Sequence, residues 1–212
     1  EIKNPLGIIR ASAERLKKKT QADEAGYILE ETDRLTAIVS GYLNFAKGDS
    51  NLLASESSTT FDLAELLQSS RRHLDERYAP ESISWEHDVL PDKNSICQVT
   101  GFPRSLRQVI MNLLINGAEA CHAVGRPIRL RLDHTVESAT VRIRITDYGI
   151  GLSKGELRKV FSPFHTTKQA GSGLGLYLAR KLLAEMGGRI NIESRKGEQT
   201  TASIEIPREH SR

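Results

Sequence analysis

The chain has 212 residues, of which 38% are hydrophobic, and a formal net charge of +3. This length supports one well-buried core and a small second unit, and the charge is too small to indicate a nucleic-acid-binding protein. No apolar stretch approaches the roughly 18 residues of a membrane span, and the first residues do not resemble a signal peptide. We therefore expect a cytoplasmic portion, with Cys97 and Cys121 as reduced thiols rather than a disulfide or a zinc site.

Residues 1–48 show the periodicity of two helices. Spacings of four and three alternate between the apolar positions of the first helix, which are Ile2, Leu6, Ile9, Ala13 and Leu16. The second helix repeats this rhythm from Ile28 to Ala46. Because two such seams cannot cover themselves, we expect a homodimer in which two helical hairpins form a four-helix bundle. The alternative is a hairpin that packs on the rest of its own chain.

The remaining sequence predicts a linker and a second domain. Residues 49–60 are polar and serine-rich, as in linkers. Residues 61–212 contain predicted helices at 62–78, 103–123 and 174–186, and predicted strands around 83–89, 128–136, 141–146, 190–194 and 202–206. Strands grouped with helices, instead of strict alternation, predict an α+β fold: an α/β sandwich with helices on one face of a mainly antiparallel sheet.

Two asparagines share one face of the predicted helix at 103–123. Asn112 and Asn116 lie one turn apart. A carboxamide oxygen is a suitable neutral ligand for Mg²⁺, which takes oxygen donors and bridges nucleotide phosphates, so we assign Asn116 as the metal ligand. Taken alone, the pair is more simply explained as ordinary polar-face residues, and the assignment depends on the motifs that follow.

A carboxylate stands at the end of the predicted strand at 141–146. Asp147 precedes two alternating glycines, Gly149 and Gly151, where the backbone turns tightly. Such a carboxylate can accept a hydrogen bond from the amino group of adenine. The alternative is an Asp-x-Gly turn without a ligand.

A second glycine motif follows a segment without clear periodicity, which is long enough to form a lid over bound nucleotide. The polar residues of this lid are Thr166, Thr167 and Lys168. They could contact phosphate oxygens, although a loop lysine is more often only solvated. The alternating glycines are Gly171, Gly173 and Gly175. They let the backbone approach an anion, and the helix predicted from Leu174 turns its N-terminus towards it. Because the dinucleotide and P-loop patterns are both absent, these motifs together predict a different kind of ATP site.

The order of these motifs resembles the N, G1, F and G2 boxes of sensor histidine kinases, and the resemblance spans nearly the whole chain. The stretch from Phe161 to Phe164 is similar to the F box. The sequence of residues 161–168 is similar to that of the nitrogen-regulation class of these kinases. Glu1 to Leu6 is similar to the H box, in which a phosphoacceptor histidine precedes the acidic residue. We therefore expect the acceptor immediately before Glu1, in a longer protein.

The resemblance implies roles for individual residues. Asp147 would recognise adenine, Glu1 would accept the proton of the attacking imidazole, and Asn4 would orient water for dephosphorylation. Asn112 stands where related ATPases carry a glutamate that activates water, so phosphate is expected to go to histidine instead. Thr200 lies in a sequence similar to the G3 motif, in which Gln199 replaces the usual glycine.

The resemblance also implies the fold and the activity. The second domain would have the GHKL or Bergerat fold shared by gyrase, Hsp90 and MutL ATPases. We expect a kinase core that uses ATP and Mg²⁺ to phosphorylate a histidine, transfers the phosphoryl group to an aspartate of a response regulator, and also acts as a phosphatase. Membrane attachment is expected only through upstream regions. The alternatives are a GHKL-type ATPase that releases phosphate, and a non-catalytic adaptor that docks through the hairpin.

Overall fold

The computed structural model describes most of the chain, and its contacts divide the chain into two compact units. The smaller unit comprises Glu1–Ser50 and Ser162–Leu178, and the larger one comprises Asn51–Phe161 and Ala179–Arg212. The residues that the structure describes are 3–20, 28, 32, 35, 52–53, 56–78, 82–86, 97–168 and 171–209.

The smaller unit contains the helix predicted first in the sequence. This helix, α1, spans Lys3–Thr20. Its seam residue Ala13 is only 1% exposed, whereas Ile9 and Leu16 are 47% and 50% exposed. Most of the predicted second helix lies outside the described residues, but Ile28 and Leu35 within it are helical and about 40% exposed. The apolar residues of this unit therefore extend beyond what it buries by itself.

The larger unit is built on a five-stranded sheet. Its strands are β2 (Ile83–Trp85), β4 (Ile128–Val136), β5 (Thr140–Asp147), β6 (Arg189–Arg195) and β7 (Gln199–Pro207). Their order is β2-β4-β5-β7-β6, and only the β2–β4 pair is parallel. The mainly antiparallel sheet of the predicted α/β sandwich is confirmed.

Helices cover one face of this sheet. They are α2 (Leu63–Tyr78) and α3 (Pro103–His122), and α3 packs on β4 and β5 with α2 beside it. Alternate residues of each strand face the helices, so Leu130, Ile143 and Ile204 are fully buried. The helix predicted at 174–186 is α5, which spans Gly175–Glu185.

The opposite face of the sheet carries paired charges. Asp133, which is only 4% exposed, accepts hydrogen bonds from Arg131 Nε at 2.9 Å and Arg144 Nε at 2.8 Å. Glu205 on β7 pairs with Arg142 and Arg189 from the strands on either side, and these hydrogen bonds lower the pKa of Glu205. Charged side chains therefore keep this face of the sheet polar.

A small second sheet was absent from the sequence prediction. Strands β1 (Thr59–Asp62) and β3 (Gln98–Gly101) pair antiparallel. The segment predicted as a linker at 49–60 thus ends in a strand, and Leu53 within it is 3% exposed. At these positions the chain packs on the domain and is not a free linker. The domain buries its leucine, and its last residues form hydrogen bonds with a neighbouring strand.

Glu56, in the same segment, caps helix α3. Its carboxylate accepts hydrogen bonds from the backbone N–H groups of Arg104 at 2.6 Å and Ser105 at 3.0 Å, and from Ser105 Oγ at 2.6 Å. The residue at the helix N-cap, Phe102, makes no side-chain capping bond. A negative charge at this helix end also interacts favourably with the helix dipole.

The short helix α4 (Lys154–Lys159) was also missed. Ser153 and Glu156 form a capping box, in which Glu156 N–H donates to Ser153 Oγ at 3.3 Å and Ser153 N–H donates to Glu156 Oε2 at 2.7 Å. The hydrogen bonds that the Glu156 carboxylate accepts from Ser153, together with that from Lys196 Nζ at 3.2 Å, lower the pKa of Glu156 to about 2. The Ser-x-x-Glu spacing was a readable signal for this helix.

Among the described helices, none is both long and apolar enough to span a membrane.

Replacing Glu56 by alanine removes the cap of α3. We expect Glu56→Ala to lower the free energy of unfolding by about 1 kcal/mol, as for other lost N-caps, measured by urea denaturation. Glu198→Ala is the matched control, because Glu198 makes only a surface ion pair with Arg195 at 3.7 Å. Equal stability of the two variants would contradict the capping role.

The capping box makes the stability of the domain depend on pH. Because the folded-state pKa of Glu156 lies near 2 and the ordinary value is about 4.3, its contribution is complete above that value and is lost as the pH falls towards 2. The stability difference between wild type and Glu156→Gln, followed by thermal unfolding at pH 7, 5 and 3, should therefore shrink at the lowest pH. A difference independent of pH would show that the charge of Glu156 does not contribute.

Candidate functional site

Helix α3 carries the two predicted asparagines next to its buried stripe. Both side chains are partly buried, and among the described residues none forms a hydrogen bond with the buried Asn112 Nδ2. A buried N–H donor of this kind needs an acceptor. Water or the oxygen of a polar ligand can supply it.

Asp147 lies where α3 approaches the end of β5. A Cβ atom built on Gly117 would lie 2.9 Å from Asp147 Cβ, so the helix comes as close to this residue as glycine allows. The Asp147 side chain is 8% exposed, and its Oδ1 accepts a hydrogen bond from Gly149 N–H at 3.0 Å. Thr200 lies directly opposite Asp147 on β7 and faces the same side of the sheet.

Gly149 is required by the same close approach. A Cβ atom at Gly149 would lie 2.4 Å from the carbonyl carbon of Ala120 on α3. The next residue, Ile150, donates its N–H to the Ala120 carbonyl oxygen at 3.1 Å. Gly151 lies against the Arg195 carbonyl oxygen, which would be 2.2 Å from an added Cβ. The loop after β5 is thus held between α3 and the end of β6.

Tyr148, which follows Asp147, is anchored on the outer side of this loop. Its hydroxyl donates a short hydrogen bond to Glu86, and the Arg129 guanidinium lies 4.3 Å from the centre of its ring. Arg129 also pairs with Glu86 at 3.1 Å. The hydrogen bond to Glu86 is the main cause that raises the pKa of Tyr148.

The second glycine motif lies in the smaller unit with the predicted lid. Gly173 has φ +66°, and an added Cβ would lie 2.5 Å from the carbonyl carbon of Phe164, which itself has φ +62°. Gly171 lies against Thr166, whose Oγ1 accepts the N–H of Lys168 at 3.0 Å. These two glycines therefore allow the chain to fold closely on itself. That they also let the backbone approach an anion stays a prediction. Leu174 is 1% exposed and directly precedes α5, which begins at Gly175.

The predicted site residues thus fall into three groups. The larger unit contains Asn112, Asn116, Asp147, Gly149, Gly151 and Thr200. The smaller unit holds Thr166, Thr167, Lys168, Gly171, Gly173, Leu174 and Gly175. That both groups meet one nucleotide stays a prediction. Glu1 lies outside the described residues, as does the side chain of Asn4.

Sequence reasoning missed several residues that shape the site. Gly117 was detectable, because a glycine inside a helix pattern indicates close packing. Ser194 gave no signal; its Oγ accepts the N–H of Leu152 at 2.8 Å and lies 2.9 Å from Thr200 Oγ1. Arg126 gave none either, because its partners are backbone carbonyl groups.

Cysteines and metal clusters add nothing to this site. Cys97 and Cys121 are both free and buried, as expected for reduced thiols, and burial raises the pKa of each thiol. In the described part of the chain, no three histidine, cysteine or acidic side chains are grouped so that they could hold a metal ion. A metal at this site would need a carboxamide oxygen together with ligand and water oxygens.

Two family models match the sequence. Residues 101–210 match the family described as histidine kinase-, DNA gyrase B-, and HSP90-like ATPase. Residues 1–51 match the His Kinase A (phospho-acceptor) domain.

Individual proteins are similar over almost the whole chain. Sensor histidine kinase ZraS of Klebsiella oxytoca is 29% identical over 98% of this chain and 44% of its own length, so the chain spans less than half of that relative. Histidine kinase ThkA, solved in complex with response regulator protein TrrA, is 27% identical with a TM-score of 0.67, over 98% of this chain and 59% of that one. Full-length ShkA with AMPPNP shares the fold, at 22% identity and a TM-score of 0.75, over 98% of this chain and 44% of that one.

The approach of the loop to α3 predicts a severe effect at Gly149. Because an added methyl group would overlap the Ala120 backbone, we expect Gly149→Ala to lower the free energy of unfolding by about 1–3 kcal/mol, measured by urea denaturation. Gly155→Ala on α4 is the control, since its nearest atom would be 3.9 Å away. It should be neutral or slightly stabilising. A tolerated Gly149→Ala would contradict the packing described.

Proposed function

The chain belongs to the family of histidine kinase-, DNA gyrase B-, and HSP90-like ATPases, as the catalytic core of a sensor histidine kinase, and we propose that its protein phosphorylates a histidine with ATP. The phosphoryl group then passes to an aspartate of a response regulator. The observation that supports kinase over hydrolase chemistry is Asn112. A carboxamide cannot accept a proton from water, so this position supplies no general base for hydrolysis.

The larger unit is proposed to bind the adenine side of ATP. The Asp147 carboxylate accepts the hydrogen bond of the adenine amino group, and Thr200, opposite it on β7, borders the same place. Gly149 and Gly151 hold the loop that fixes Asp147. The unpaired Asn112 Nδ2 provides a donor for a phosphate oxygen.

The residues of the lid and the second glycine motif are proposed to bind the phosphates. Lys168 and the hydroxyls of Thr166 and Thr167 supply cation and hydrogen-bond donors to their oxygens. The α5 N-terminus, after Leu174 and beginning at Gly175, supplies backbone N–H groups, as other helix N-termini do for anions. Gly171 and Gly173 shape this segment.

Mg²⁺ is proposed to be held by the carboxamide oxygen of Asn116. The donor set fits, because Mg²⁺ in nucleotide sites takes few protein oxygens and completes its shell with phosphate oxygens and water. When bound, the ion neutralises the charge that develops on the transferred phosphate.

Phosphoryl transfer requires the region around the H box. A nitrogen of the acceptor imidazole attacks the γ-phosphorus, the bond from phosphorus to the ADP oxygen breaks, and ADP leaves. Glu1 takes the imidazole proton. In the phosphatase reaction, which removes the phosphoryl group from the response regulator, Asn4 orients the attacking water. The resemblance of residues 1–6 to the H box supports these roles.

The proposed partners are a response-regulator receiver domain and a second copy of the chain. ThkA, a similar protein, has been solved with a response regulator. Exposed apolar side chains on the helical residues of the smaller unit support pairing of two hairpins; they are Ile8, Ile9, Leu16, Ile28 and Leu35. We place this region in the cytoplasm, with no nucleic-acid partner, and any membrane attachment in other parts of the protein. Its membership of the nitrogen-regulation class stays a prediction.

The deciding experiment is phosphorylation with γ-labelled ATP and Mg²⁺. We expect a protein that includes its native sequence upstream of Glu1 to acquire a label that is labile in acid and stable in alkali. Asn116→Ala should lower that labelling about 100-fold or more, as expected when a group that stabilises transition-state charge is lost.

The same experiment separates the alternatives. Free labelled phosphate with unlabelled protein would indicate a GHKL-type ATPase. A protein that is neither labelled nor stabilised against heat by Mg-ATP would indicate a non-catalytic adaptor, because a ligand that binds the folded state raises its melting temperature.

A further inference from the structure

Arg126 joins two loops of the larger unit. It follows the C-terminal end of α3, in the turn before β4. Its Nη1 donates to the carbonyl oxygens of Tyr148 at 3.2 Å and Gly149 at 3.1 Å, and its Nη2 donates to that of Gly197 at 3.0 Å. One guanidinium therefore connects the loop after β5 with the turn between β6 and β7.

The two loops also bond directly to each other. Gly197 N–H donates to the Ile150 carbonyl oxygen at 2.7 Å, and Leu152 N–H donates to Ser194 Oγ at 2.8 Å. We call residues 148–152 and 194–200 the loop junction. Among the described side chains, Arg126 is the one that donates hydrogen bonds to carbonyl groups in both segments of the loop junction.

The loop junction determines where the Asp147 carboxylate lies. The Gly149 carbonyl oxygen accepts a hydrogen bond from Arg126, and the Gly149 N–H donates to Asp147 Oδ1 at 3.0 Å. On the other side, Thr200 lies directly opposite Asp147. A shift of the loop would therefore move the hydrogen bond that orients Asp147.

We propose that Arg126 is a positioning residue for nucleotide recognition, which holds the loop junction so that Asp147 is oriented towards the adenine amino group. This rests on the proposed function. The Arg126 contact to the Gly197 carbonyl holds the turn between β6 and β7. Lysine could not replace Arg126 fully, because its single ammonium lacks the planar fork that contacts carbonyls on two sides.

The test compares the binding of ATP and ITP by wild type, Arg126→Ala, Arg126→Lys and the control Arg72→Ala. Inosine lacks the amino group that Asp147 is proposed to bind, so the ratio of the two dissociation constants reports the orientation of Asp147. Arg72 is exposed on α2, away from the loop junction in sequence. Competition with a fluorescent nucleotide measures both constants, and melting temperatures without nucleotide report stability.

We expect Arg126→Ala to weaken ATP binding about tenfold, since it removes hydrogen bonds from a charged donor, and to weaken ITP binding much less. The preference for ATP should then fall towards equal affinity for the two nucleotides. Arg126→Lys should lie between wild type and Arg126→Ala, and Arg72→Ala should match wild type.

An unchanged ATP-to-ITP ratio would overturn the proposal, including the case in which both affinities fall equally while the melting temperature drops. If Arg126→Ala does not fold, Arg126→Lys decides by the same ratio. Hydrogen exchange should also show faster exchange of the Gly197 amide in Arg126→Lys. A wild type that binds no ATP would overturn the proposed function itself, whereas ATP-selective binding that persists in the variants would overturn only the role of Arg126.

Discussion

The close contact between α3 and the end of β5 is the constraint on which the site depends. At Gly117 and Gly149 any larger side chain would overlap Asp147 or the Ala120 backbone. This contact fixes how closely α3 packs on the strand end that carries Asp147. If the helix lay a few ångströms further from the sheet, as ordinary side chains would require, the loop after β5 would lose its contacts with the α3 backbone.

The sequence predicted the parts of the fold whose signals are local and long. Helix α3 has a proline near its start and a continuous apolar stripe, and β5 alternates apolar residues with Arg142 and Arg144. Both patterns are strong because each element packs one side against the core. The family and the kinase class followed from the spacing of the glycine and asparagine motifs, which are themselves requirements of the site.

The sequence did not predict features that arise from distant partners. Strands β1 and β3 have four residues each, too few to show a period, and they exist because they pair with each other. The capping of α3 by Glu56 joins residues nearly fifty positions apart, and the partners of Arg126 are carbonyl groups that every residue possesses. Helix α4 is the exception, since its capping box was visible in the sequence and was not used.

The buried amide of Asn112 requires a hydrogen-bond acceptor that no described residue supplies. A buried donor without an acceptor costs about 1–3 kcal/mol, and an apolar side chain of similar shape would avoid that cost. The acceptor therefore has to come from outside the described protein atoms, as water or a ligand oxygen. The stability of the domain at this position thus depends on its surroundings and not on packing alone.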